Sequence, residues 1–122
     1  MFNFHTTNES SIAELSDKNL ILEDVSDFVD LLGNAGFQGA NGIIIHKSNL
    51  KPEFFDLKTG IAGEILQKFS NYNQRLAIVG DFSQYKSKSL QDFIRESNRI
   101  GRITFVSNIE MVLEKHLNKY SL

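Results

Sequence analysis

The chain has 122 residues, of which 41% are hydrophobic and 23% charged, enough apolar side chain for one packed domain and too much for a disordered chain. It contains no cysteine, which excludes a disulfide framework, a thiolate metal site and a cysteine nucleophile. The formal net charge of −2 argues against nucleic acid as the main partner, and no apolar run approaches the roughly 20 residues of a membrane-spanning helix.

The charge is unevenly spread. Residues 1–46 hold seven acids and one base, a net of −6, whereas residues 47–122 hold twelve bases and eight acids, a net of +4. The plain reading is two solvated faces. The sharper one is head-to-tail attraction, or an electropositive patch around Lys86, Lys88, Arg95, Arg99 and Arg102. Ten of the thirteen aromatic residues are Phe and none is Trp. Phe has no polar handle, so most of this aromatic surface is expected in the core. The start, Met1 to His5, lacks a basic stretch followed by an apolar one, so no secretory leader is expected and the default location is cytoplasmic. Neither a linker nor a repeat divides residues 1–122, which predicts a single α/β domain.

Phe2, Phe4 and Thr6 alternate with polar residues, the period of a half-buried strand. Asn8-Glu9-Ser10 reads as a turn and Ile12 to Leu15 as the returning strand of a hairpin. Val25, Phe28, Val29 and Leu32 fall at helical spacing, with Gly33 and Gly36 as expected stops. Gly42-Ile43-Ile44-Ile45-His46 reads as a central parallel strand, apolar on both faces. A Pro-containing segment, Ser48 to Phe55, leads into a helix through Ile61, Ile65, Leu66 and Phe69. Leu76 to Val79 is a second buried strand, ended by Gly80-Asp81. Ser89 is expected to open a helix with Leu90, Phe93 and Ile94 inward, Asp92 completing a capping-box-like pair. Ile103 to Val106 is the last strand. Ser107 and Glu110 have capping-box spacing before a helix with Ile109, Val112, Leu113 and Leu117 on its inner stripe. The order β-β-α-β-α-β-α-β-α predicts a single mixed, mostly parallel sheet of about five strands with about four helices.

In such sheets ligands bind beyond the carboxyl ends of the strands. Those ends here are His46-Lys47-Ser48, Gly80-Asp81-Phe82-Ser83 and Ser107-Asn108. His46 is a candidate general base with Asp81 as its orienting acid, and Ser48, Ser83, Ser107 or Thr59 is a candidate nucleophile. No G-x-S-x-G elbow surrounds any Ser, and the bland alternative is a strand-end His and a helix-capping Ser. His5, His46 and His116 have no local metal-ligand spacing, so no metal is expected, and His116 reads as a favourable charge at a helix C-terminus. No phosphate-cradling motif is present: Gly60-Ile61-Ala62-Gly63 matches neither G-x-x-x-x-G-K-[ST] nor G-x-G-x-x-G. No cofactor is expected. The stretch Asp56 to Glu64 is unusual, because Gly60 and Gly63 fall where the apolar stripe asks for helix, at a cost of about 1 kcal/mol each relative to Ala. Either backbone or ligand comes close, or the helix begins later than Pro52 implies.

The segment from Phe54 through Asp56-Leu57-Lys58-Thr59-Gly60 to Phe69, with Arg75-Leu76-Ala77-Ile78-Val79-Gly80-Asp81-Phe82, resembles a bacterial family known as domain of unknown function 4180. The resemblance runs from about Ile12 to Leu117 and implies a bacterial protein with no assigned activity. More distantly, the chain is similar to STAS domains, the anti-sigma-factor antagonist fold, in which an apolar strand precedes D-S-S-G and a helix. On that resemblance Thr59 takes the place of the phosphorylated Ser and Asp56 that of the Asp. One extra residue separates Asp56 from Gly60, and Lys58 has no counterpart. The later part, from Val79-Gly80-Asp81 to the final helix, is similar to enlarged STAS-like proteins, some of which bind apolar ligands. The resemblance implies a STAS-like fold and a regulatory site at Asp56, Thr59 and Gly60; Lys58, Glu64, Gly80 and Asp81 are further candidates for a ligand or regulatory site.

Three functions are therefore expected in competition. The first is a STAS-like binding or regulatory module with a protein or small-molecule partner. The second is a small hydrolase using His46 and Asp81. The third, motivated by the Phe excess, is a carrier of an apolar small molecule, which would need a cavity of roughly 300 Å³ or more. Nucleic acid and membrane are not expected as partners, and the hairpin edge permits a homodimer.

Overall fold

The structure, a computed structural model, describes residues 1–6 and 10–118, with backbone alone from 115. Asn8 and Glu9 of the hairpin turn, and the side chains of His116 and Leu117, lie outside the described residues. The elements run β1 (Phe2–Thr6), β2 (Ser11–Leu15), α1 (Val25–Phe37), β3 (Gly42–His46), α2 (Ile61–Asn71), β4 (Arg75–Val79), α3 (Lys88–Ile100), β5 (Ile103–Val106) and α4 (Ile109–Asn118). They form the expected single mixed sheet of five strands, in the spatial order β1-β2-β3-β4-β5. β1 pairs antiparallel with β2, and every later pair is parallel.

This order decides where the helices go. Each β-α-β step advances one strand in the same direction, and right-handed crossovers then place α1, α2 and α3 on one face. The contacts agree. Phe28, Leu31 and Leu32 of α1 and Ile65 and Phe69 of α2 join Leu15, Ile43, Ile45, Leu76, Ile78, Ile103 and Phe105 in one cluster, with Phe93 and Ile94 of α3 against it. Full burial of each large apolar side chain contributes about 1.5–3 kcal/mol. The alternate residues Ile12, Ile44 and Ala77 point to the other face, where α4 alone covers them with Ile109, Val112 and Leu113. The three consecutive Ile of β3 thus serve both layers.

Local chemistry sets the element ends, and several differ from expectation. α1 continues through Gly33 and Gly36 to Phe37, because Phe28, Leu31, Leu32 and Ala35 keep it anchored on the sheet. α3 begins at Lys88 with Ser87 as its N-cap, whose side chain accepts from the Leu90 N–H. Asp92 instead pairs with Lys88 and Arg95. Asn108, not Ser107, caps α4 by accepting from the Met111 N–H at 3.0 Å. α2 starts only at Ile61: residues 47–59 form three short 3₁₀ turns, and Gly60 takes a left-handed φ of +76° that ends them.

The free edge of β5 is sealed from within. Asn98 of α3 accepts from the Phe105 N–H at 2.7 Å and donates to the Phe105 carbonyl at 3.2 Å. Its amide stands in for a neighbouring strand, which blunts the edge against association.

Candidate functional site

His46 ends β3, and strand alternation turns it to the α4 face with Ile44. Glu14 of β2 lies two residues from Ile12 on that same face, and His5 of β1 is the cross-strand partner of Ile12. Three strands therefore bring three side chains together. His46 Nε2 lies 3.0 Å from Glu14 Oε2, and His5 Nε2 lies 2.9 Å from Glu14 Oε1. Glu14 and His46 are buried, and His5 forms the half-buried rim. The His46 backbone is held as well, its N–H donating to Asn49 Oδ1 at 2.8 Å. An ionised carboxylate only accepts, so Nε2 of each ring is the donor to Glu14. Burial pushes the Glu14 carboxyl up. The hydrogen bonds from His5 and His46, and the attraction of both rings, outweigh it and hold the group below its ordinary value. In this arrangement the cluster is a clasp across β1, β2 and β3, and Nε2 of His46 is committed to Glu14.

Asp81 lies past the end of β4 and makes a turn of its own, accepting from the Ser83 N–H at 2.9 Å and the Ser83 hydroxyl at 2.7 Å. These bonds, with the nearby Lys47 ammonium, hold its carboxyl below the ordinary value. Lys47 Nζ donates to the Asp81 carbonyl at 2.9 Å and sits 4.9 Å from the centre of the Tyr85 ring. The two strand ends meet closely at Gly80, where an added Cβ would stand 2.6 Å from Lys47 Cβ. The candidate hydroxyls point elsewhere: Ser48 to the Lys18 carbonyl, Ser83 to Asp81, and Ser107 to the Met111 sulfur.

The segment after β3 folds back over α2. Asp56 caps the last 3₁₀ turn by accepting from the Lys58 N–H. The Thr59 hydroxyl donates towards the Glu53 and Asp56 carbonyls and accepts from the Ile61 N–H. Pro52, Phe55, Asp56, Leu57 and Lys58 form one wall of an open groove of about 610 Å³ whose other wall is Tyr85, Ser87 and Ser89. Phe55 and Tyr85 stack at its base, 4.8 Å apart. Glu64 lies one turn into α2 and is exposed.

A second opening lies at the far side of β5. A cleft of about 410 Å³ is walled by Ile12, Ala77, Val106, Met111 and Val112, reaches past Ile100 and Gly101, and includes Arg75, Asn98 and Thr104. It exists because one helix covers a face that three helices cover on the other side. The family model for DUF4180, a domain of unknown function, matches residues 7–116. The chain belongs to that family. The match spans β2 to α4, and so takes in both openings and two members of the histidine clasp. No curated protein matches the sequence.

Within this DUF4180 domain the structure brings Asp56 and Lys58 to one groove, and Gly80, Asp81 and Ser107 to another opening beside Phe82 and Met111. His46 points instead to Glu14. Sequence reasoning missed Glu14, although a single acid between Ala13 and Leu15 in an otherwise apolar strand was the available signal. It also missed Asn49, which is fully buried and donates to the carbonyls of Asp17 and Leu20. The expected basic patch is largely internally paired: Lys88 and Arg95 with Asp92, Arg99 with Glu96, and Arg102 with the Gln74 carbonyl.

Proposed function

We propose that this domain is a binding module for a small, largely apolar molecule held in the cleft between β4, β5 and the first turn of α4. The observation that carries the reading is the cleft itself. Its volume of about 410 Å³ falls in the 300–1,000 Å³ range of ligand sites, and its wall is mainly aliphatic with few polar groups. Met111, 47% exposed at the rim, adds an adaptable thioether suited to an apolar guest. The neutral dye N-phenyl-1-naphthylamine tests it. The dye should bind saturably to the wild type, and Thr104→Phe, which fills the cleft from an edge strand, should abolish binding while circular dichroism stays unchanged. Absence of saturable binding to the wild type would remove the reading.

A second reading, a STAS-like regulatory module, draws on the exposed position of Thr59 before α2 and of Asp56 and Lys58 at the lip of the neighbouring groove. A phosphate on Thr59 would meet the first N–H groups of α2 and its dipole. It would also have to release the hydroxyl from the Glu53 and Asp56 carbonyls. Partner capture with the wild type, Thr59→Glu and Thr59→Ala tests this. Identical partner sets for all three would count against it.

A further inference from the structure

We infer that the ligand of the cleft is a small amphipathic carboxylate, anchored by Arg75 with its apolar body against Ile12, Ala77, Met111 and Val112; this rests on the binding reading above. Among the described residues lining the cleft, Arg75 alone is charged and none is acidic. Arg75 opens β4, and strand alternation turns it to the face of Ala77, opposite to Leu76, which lies in the main core. It is half-buried, yet among the described residues its side chain makes no hydrogen bond or ion pair. The other arginines with partners, Arg95, Arg99 and Arg102, are tied to an acid or a carbonyl. A guanidinium with five donors and no partner, at the rim of an apolar cleft, fits a planar two-oxygen anion.

The remaining polar groups sharpen the class. Asn98 is already spent on the Phe105 backbone. The Thr104 hydroxyl, beside Ala77 on the adjoining strand, is uncommitted among the described residues, and can donate to the same carboxylate. A neutral alcohol would leave the guanidinium unanswered, and an amine would meet it with like charge. A larger polyanion finds no second cation among the described residues of the wall.

Titration with octanoate, octanol and octylamine, followed by NMR and calorimetry, tests the assignment. Octanoate should bind at least about tenfold more tightly than octanol, the difference expected of a charge-assisted pair, and octylamine should not bind. Arg75→Gln should collapse the octanoate-to-octanol ratio to near one, and Arg75→Lys should restore part of it. Thr104→Val, with Arg75 intact, should lower octanoate affinity by a smaller factor. Equal binding of acid and alcohol to the wild type, or a ratio unchanged in Arg75→Gln, would overturn the carboxylate assignment and leave the binding module standing. Failure of all three ligands and of the neutral dye would overturn both.

Discussion

Replacing Glu14 with Gln removes a buried carboxylate that receives two imidazole donors, at 2.9 Å from His5 and 3.0 Å from His46. Gln keeps the shape but offers one oxygen and one NH₂. One charged-acceptor hydrogen bond is lost and the second becomes neutral. Hydrogen bonds to charged groups contribute about 1.5–3 kcal/mol each, so Glu14→Gln should destabilise by about 2–3 kcal/mol. Urea unfolding at neutral pH should show a lower midpoint with an unchanged slope. The pH dependence gives a second check. The folded-state pKa of Glu14 lies below its ordinary value of 4.5. Its stabilisation is full above the unfolded-state pKa and is lost as the pH falls through the lower folded-state value. The gap between wild type and variant should therefore close in acid. A gap below about 0.5 kcal/mol at neutral pH, the size of an ordinary surface substitution, would refute the clasp, as would a gap that persists in acid.

Gly33 lies inside α1, is exposed, and has nothing within 4 Å of an added Cβ, so Gly33→Ala should stabilise by about 1 kcal/mol in thermal unfolding. Gly80→Ala should do the opposite, losing about 1–3 kcal/mol through overpacking, because the new methyl would meet Lys47 Cβ at 2.6 Å. Asn98→Ala exposes the Phe105 N–H and carbonyl on the β5 edge. It should cost about 1–2 kcal/mol and raise the light-scattering mass with concentration as edges begin to pair.

The period of the apolar residues carries local structure, and here it was sufficient for the element order, all five strands and their mostly parallel pairing. Element ends were less legible. Gly33 and Gly36 look like stops by propensity, yet α1 passes through them because its buried stripe continues beyond. Ser87 and Asn108 are as good caps as Ser89 and Ser107, and only the backbone path shows which side chain meets an N–H. The delayed start of α2 was visible as a question at Gly60, and its left-handed φ answers it.

The candidate site divides the same way. Chain chemistry alone determined a cysteine-free α/β domain whose polar residues collect at strand ends, and it marked Asp56 to Glu64 as unusual. Tertiary structure decided which of those residues meet. Glu14, His5 and His46 are separated by nine and thirty-two positions, and only the β1-β2-β3 register aligns them on one face. The cleft beside Arg75 follows from strand order, which sends three helices to one side and leaves α4 alone on the other. Neither fact is written in any local window, because adjacency across a sheet depends on register and crossover direction, and those are settled when the whole core packs.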